Sequence, residues 1–365
     1  MSPIPATAAR ASPRMLRPAV RYSAACRWLH SSPPKPATPL PHPTAPGPPP
    51  DPPKPAASTA EGRIARKRQQ AELFQQSRNA KANPSKPGSA LQKRFWREVH
   101  VKQTPDGHQV LLDSRPVRTA SKNVLTIPPN KQQLAAAIAL EWDLLLNAQQ
   151  ALKQHYIPLT SLTSRAIDIQ AADASGDSSI RDSIVKMLMN YLTTDTLLCW
   201  APEKNIHEAK DLGEGAETLR QVQMRTAQPI INFLTTKLWP GVEIKPILEP
   251  DSILPVPQPP NTVDVVRGWL SALPAWELAG IERGVLASKS LLVAARLLAE
   301  WSSEFAHIRE NQPDEGRFGI EEAAEASSLE VSWQTGMWGE VEDTHDVDKE
   351  DLRRQLGSVV LLVNG

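Results

Sequence analysis

The first fifty residues contain no aspartate or glutamate. A solvated tail has no reason to exclude acids so completely. Arg10, Arg14, Arg17, Arg21 and Arg27 recur there among alanines, serines and small apolar residues, the composition of a mitochondrial transit peptide. Positive charge suits import, because the matrix-negative potential draws cations inward. Residues 1–32 read as this leader, with Arg21-Tyr22-Ser23 and Arg27-Trp28-Leu29 as alternative processing sites. Cysteine is also scarce. There are two, and Cys26 lies in the leader, so Cys199 is left without a disulfide partner. In the run LLCW it reads as a small buried hydrophobe. No stretch approaches the roughly 20 apolar residues of a membrane helix, so no membrane insertion is expected.

Catalytic signatures are missing too. There is no G-x-S-x-G, H-E-x-x-H or G-x-G-x-x-G, and His155, His207, His307 and His345 are scattered with no evident nucleophile. Gly280 to Ser290 superficially looks like a phosphate loop. Its second glycine is not next to Lys289, and the segment reads as continuous helix, which would hide the backbone N–H groups such a loop needs. Asp343 to Asp348 is rich in metal-capable side chains. Counted from Asp346, however, the sixth and twelfth positions of a calcium loop hold Asp351 and Gly357 instead of glycine and glutamate. The run reads instead as a solvated acidic face or as Asp346 capping the last helix, and, as a sharper alternative, as a docking face for a basic or amide-rich partner. Asp168 and Asp195 read as caps or buried hydrogen-bond partners. No catalytic residue, metal or cofactor is expected.

The net charge of +1 conceals an uneven spread. Residues 1–89 hold 14 Lys and Arg against 3 Asp and Glu, which leaves 27 basic and 37 acidic residues in 90–365. An acidic body is a poor match for phosphate backbones, so nucleic acid is not an expected partner.

Proline dominates residues 33 to 55 and fixes an extended linker, and a charged segment continues to residue 89. Folding starts near Arg94. Phe95, Arg97, Val99 and Val101 alternate with Trp96, Glu98 and His100, the period of a strand. Thr104-Pro105-Asp106-Gly107 is a turn, HQVLLD a second strand and VLTIPP a third. Asn130 is placed to cap a helix over 131–153, with Leu134, Ile138, Trp142, Leu145 and Leu152 on one face. Thr160 and then Asp177 or Ser178 start two more. TLLCW (196–200) reads as a strand that closes the sheet, and GVEIKPI (241–247) as another. The remainder is helical, with Pro229 a kink or restart inside 214–238. The predicted class is α+β: a small N-terminal α/β domain (90–200) with an antiparallel meander, then a larger all-helical C-terminal domain (201–365).

Several segments together resemble one family. FWREVHV, DSRPVRT, ALEWD, IPLTSLTSRAID, YLTTDTLLC, KSLL and LEVSWQTGMWGEVEDTHDVD are similar, in order and spacing, to the mitochondrial ATP synthase assembly chaperones that attend the alpha subunit. The resemblance runs from about Arg94 to the C-terminus. One departure is that Ala227-Gln228 precede Pro229 where members often place a tryptophan. The resemblance implies a monomeric matrix protein without enzymatic activity. It would bind unassembled alpha subunit transiently, prevent its aggregation and yield it to the beta subunit. Glu330 matches the family's LE-x-x-x-Q pattern and is the first candidate contact, with an internal salt bridge as its alternative role. Trp333 and Trp338 flank the acidic run and are the next candidates, as interface aromatics or as core. Glu340, Glu342 and Asp343 complete the set. The competing classes are a matrix hydrolase or transferase built from dispersed residues, and an adaptor that stays in the finished complex.

Overall fold

The computed structural model describes residues 67–69, 71–72, 93–203, 217–248, 254–309, 316–341 and 344–364. Its architecture is α+β, with a small antiparallel meander followed by helices. Strands β1 (Val99–Thr104) and β2 (Gly107–Leu112) pair from Val99–Leu112 to Thr104–Gly107. The other edge of β2 takes β3 (Arg115–Pro116) and β4 (Thr126–Ile127). Gly107 closes the predicted turn at φ 138°, and a Cβ there would lie 2.1 Å from the carbonyl oxygen of Ile127. Only glycine fits both the angle and the space. Asp113 turns β2 toward β3, and its carboxylate accepts the N–H groups of Arg97 at 3.0 Å and Glu98 at 2.9 Å.

Ten helices follow among the described residues: α1 (Gln132–Leu144), α2 (Pro158–Ser175), α3 (Ser179–Tyr191), α4 (Leu219–Phe233), α5 (Pro260–Ala272), α6 (Ala275–Ser288), α7 (Leu291–Trp301), the single turn α8 (Ala306–Arg309), α9 (Ile320–Trp338) and α10 (His345–Asn364). One buried cluster runs from Trp96 to Val363. Helices α6 and α7 lie at its centre, with α2, α3 and α10 packed on α6, and α4, α9 and α10 on α7. The sheet joins this core through α1. The buried Lys131 ammonium, just before α1, donates to the carbonyls of Leu362 (2.8 Å) and Val363 (3.0 Å) and lies over the Trp276 ring. A cation there satisfies two of the orphan acceptors at the C-terminal end of α10.

The family segments interlock. Glu141, from ALEWD, accepts the N–H groups of Leu159 (2.6 Å) and Thr160 (3.0 Å) and the Thr160 hydroxyl (2.9 Å) at the start of IPLTSLTSRAID. It caps α2 from another helix, while burial pushes its pKa up to about 7. The neighbouring Trp142 indole donates to Thr160 Oγ1 at 3.0 Å and meets Trp96 edge-on.

Six expectations need correction. Helix α1 ends at Leu144 instead of 153 because Leu145 turns extended and the Gln150 side chain takes the N–H groups of Leu146 and Asn147. Asn130 does not cap it; Lys131 occupies that position without a side-chain cap. TLLCW is not a strand: Thr196–Leu198 is a 3₁₀ turn, with Asp195 accepting from the Leu197 N–H. GVEIKPI forms no strand among the described residues, because the Gln258 side chain pairs with both backbone groups of Lys245 in place of a neighbouring strand. Gly280–Ser290 is not continuous helix. Lys289 adopts φ 59° and ends α6, and the Ser290 hydroxyl caps α7 by accepting the Val293 N–H at 3.0 Å. Pro229 does not restart its helix. α4 runs through it and loosens into a π turn at Leu234–Leu238.

Candidate functional site

Helix α9 is anchored at one end only. Its first turn is held by a Glu322 carboxylate that accepts the Gly319 N–H, and by an ion pair between Glu321 and Arg353 of α10. Its buried residues are Ala323, Ala324 and Ala326, whose short side chains allow close approach to the body. Ser327 and Ser328 return their hydroxyls to the carbonyls one turn back, which spends their polarity within the helix. From Leu329 onward no residue of α9 is buried, although Leu329, Val331, Trp333, Met337 and Trp338 are all apolar. Trp338 is 72% exposed and Val331 47%. Val341 and Val347 extend the apolar surface past the end of the helix at 58% and 55%. This is the tip of an antiparallel helical hairpin formed by α9 and α10.

The hairpin leaves clefts on either side of α9. One, of about 430 Å³, opens toward α10 and is floored by Val331, Ser332, Gly336 and Leu352, with Glu340 and His345 at its rim. A second, of about 570 Å³, lies toward α4 against Pro229, Ile230, Phe318 and Leu329. Charge at this end is one-sided among the described residues, with Glu330, Glu340, Asp346 and Asp348 against Lys349.

Glu330 stands on the exposed face. Its carboxylate accepts the Gln334 amide at 3.2 Å, one helical turn on, and makes no ion pair among the described residues. The salt-bridge alternative therefore has no partner there. Glu330 also lines a cleft of about 170 Å³ with Thr196, Leu197 and Gln223. That places the LEVSWQ and YLTTDTLLC segments side by side. Cys199 lies close by, and its thiol pKa is raised by burial first and then by the charges of Asp195 and Glu330. A raised thiol pKa disfavours the nucleophilic thiolate. Trp333 is half-buried, while Trp338 and Glu340 are exposed. Glu342 and Asp343 lie outside the described residues. Of the sequence candidates, Glu330, Trp333, Trp338 and Glu340 thus fall on one helix and its exit. The apolar side chains Val331, Val341 and Val347 and the clefts were not legible, because isolated valines in an acidic run carry no signal until the packing leaves them uncovered.

Comparison with known proteins locates this architecture. A family model described as ATP12 chaperone protein matches residues 93–235. A fission yeast relative (Schizosaccharomyces pombe), named Protein atp12, mitochondrial, is 32% identical over 270 residues, which is 74% of this chain and 81% of its own. The chain belongs to the ATP12 chaperone family. The relative from Saccharomyces cerevisiae, named Protein ATP12, mitochondrial, is 30% identical over 290 residues, covering 75% of this chain and 84% of its own. The crystal structure of Atp12 from Paracoccus denitrificans aligns with a TM-score of 0.51 at 25% identity, over 74% of this chain and 97% of that one. A protein from Agrobacterium tumefaciens aligns with a TM-score of 0.51 at 20% identity, over 81% and 97%, a likeness of fold alone. The ATP12 family is the one the sequence segments resemble.

Proposed function

We propose that this chain is a mitochondrial matrix chaperone that holds the unassembled alpha subunit of the ATP synthase catalytic sector until the beta subunit takes its place. The observation that carries the reading is the outer half of α9. Apolar side chains stand uncovered there inside a strongly acidic surface, and the clefts on both sides leave them accessible. An exposed apolar patch rimmed by polar groups is the kind of surface that meets a partner. An unassembled subunit exposes apolar surface meant for its neighbour, and that surface aggregates unless something covers it. Tryptophan is over-represented among residues that carry binding energy, which gives Trp338 and Trp333 the central role and the acids a steering one. Release follows from competition. A holder without nucleotide chemistry yields when the true neighbour binds the same surface more tightly. The chaperone acts as a monomer, with no catalytic step and no cofactor.

Light scattering tests this reading. A heat- or dilution-destabilised alpha subunit is followed with and without this chain lacking its first 32 residues, in the absence of nucleotide. Suppressed scattering near one-to-one is expected, and Glu330→Lys is expected to abolish it. Unchanged scattering, while an unrelated chaperone protects the same subunit, would refute the proposal.

A further inference from the structure

Away from the hairpin tip, one cleft carries a positive charge that the fold leaves unused. It encloses about 390 Å³ between the turn before α2, helix α6 and the opposite face of α10. Helix α6 is buried along most of its length, and past Glu277 its charged residues are Glu282 and Arg283. Glu282 is fully engaged, accepting both Nε and Nη2 of Arg165 at 2.9 Å. Arg283 is half-buried, lines the cleft and has no hydrogen bond or ion pair among the described residues. Residues 90–365 contain ten more acids than bases, yet among the described residues no carboxylate pairs with this guanidinium. Half-buried cations ordinarily have partners, because desolvation penalises an uncompensated charge.

Arg354 faces Arg283 across the cleft from α10. Its Nη1 donates to the carbonyl of His155 at 2.9 Å and its Nη2 pairs with Asp351. Asp351 is further held by the Gln355 amide. The one carboxylate lining the cleft is therefore committed to Arg354, and Glu141 nearby is turned into the α2 cap. The cleft is left with the unengaged Arg283 guanidinium, the charge of Arg354, the His155 ring and the Gln154 amide along its lining.

We propose that this cleft binds a phosphate group, supplied as inorganic phosphate or as the phosphoryl end of a nucleotide. Arg283 offers a free fork from α6 and Arg354 a second positive charge from α10, and cations on two sides suit a tetrahedral oxyanion, whose oxygens point to several sides. A planar carboxylate is satisfied by a single fork. The volume falls in the range of small-molecule sites and exceeds what phosphate alone fills. Bound anion ties the 153–157 turn and α10 to α6, so occupancy stabilises the base of the hairpin whose tip meets the client.

Titration calorimetry of the chain with inorganic phosphate, and separately with ADP, tests this. One saturable site is expected for phosphate, with a raised melting temperature. Potassium chloride at matched ionic strength reproduces neither effect. Arg283→Gln weakens binding about tenfold or more and leaves the melting temperature without phosphate unchanged. Arg283→Lys keeps the charge, loses the fork and falls between the two, which keeps the test open should the glutamine variant fold poorly. ADP binding tighter than phosphate, with the same dependence on Arg283, assigns the site to a nucleotide; equal affinities assign it to the phosphate group alone. Absence of saturable heat with both probes, or Arg283→Gln binding like the parent, overturns the proposal.

Discussion

Helix α7 and the outer half of α9 both carry apolar side chains, and the fold treats them in opposite ways. Every residue of α7 from Leu291 to Glu300 is buried, and both of its ends are closed by side chains from elsewhere. At the start, Asp195 accepts the Leu292 N–H and Ser290 the Val293 N–H. At the far end, Arg309 donates to the carbonyls of Glu300 and Ser302. Even its charges are enclosed: Arg296 is sandwiched between the rings of Phe233 and Phe318 while paired with Glu300. The outer half of α9 has tryptophan, methionine, leucine and valine, but they are left half-buried or exposed. Apolar content is therefore not what separates core from surface here. The difference lies in what the chain supplies to close around it. α7 receives caps from Asp195, Ser290 and Arg309 and encloses its own ion pair, whereas α9 is held at its first two turns only.

The sharpest way to break the comparison is to remove a counter-charge from α7. Glu300→Ala leaves the Arg296 guanidinium buried without its partner, and loss of one member of a buried pair costs about 3–5 kcal/mol. Urea unfolding should show a correspondingly lower midpoint with an unchanged slope. A loss below about 1 kcal/mol would mean that the stacking on Phe233 and Phe318 alone holds the cation.

Glu141 gives the next largest effect, through pH. Its carboxyl titrates near 7 in the fold and near 4.5 as a free side chain, because burial opposes its ionisation more than its three donors favour it. The folded state therefore holds a proton that the unfolded state has lost between those values. Its contribution is complete below about pH 4.5 and disappears as pH rises through 7, on the order of 3 kcal/mol. Asp195, raised to about 6 by burial, acts in the same direction over a lower window. Melting temperatures should fall from pH 5 to pH 7.5, and Glu141→Gln, which keeps an acceptor and binds no proton, should flatten that slope. An equal slope in the variant would assign the titration elsewhere.

Gly107→Ala should cost less, about 1–3 kcal/mol, since one methyl must displace the Ile127 carbonyl at an unfavourable φ. The loss should appear in the denaturation midpoint and spare the helical core, so that amide exchange is fastest in β1 and β4.

These positions also show what was legible beforehand. The meander was, because period-two alternation and the Thr104–Gly107 turn are local, and Gly107 is needed for the reason the turn chemistry states. The end of α1 was not. The apolar stripe of Leu145 and Leu152 continues the helical period, and the break comes from the Gln150 side chain capturing backbone N–H groups. TLLCW has the composition of a strand, but Asp195 closes it into a turn and also reaches α7, 97 residues away. The break at Lys289 is also held from a distance, its carbonyl accepting the Thr196 N–H at 3.3 Å. At the candidate site, Glu330 was singled out by its residue type and its place in a family segment, and the structure places it on an exposed helix face. The exposure of Val331 and Val347 and the clefts around α9 depend on how far the hairpin stands off the body, which no local pattern encodes.

The smallest expected effect on stability belongs to the outer half of α9, and it sharpens the comparison most. Glu330→Lys and Trp338→Ala remove side chains that the fold does not use, so each should change unfolding free energy by no more than about 0.5 kcal/mol. Under the proposed function they should behave very differently toward client. Truncating a central interface tryptophan costs about 2 kcal/mol or more of binding, which is roughly thirtyfold in affinity, and reversing Glu330 places a cation where an acidic surface steers the partner. Paired melting curves and scattering assays separate the two roles. Unchanged melting with lost protection makes this surface a docking site. A fall in melting temperature comparable to that of Glu300→Ala would instead show that the outer half of α9 supports the core as α7 does, and the contrast between the two helices would collapse.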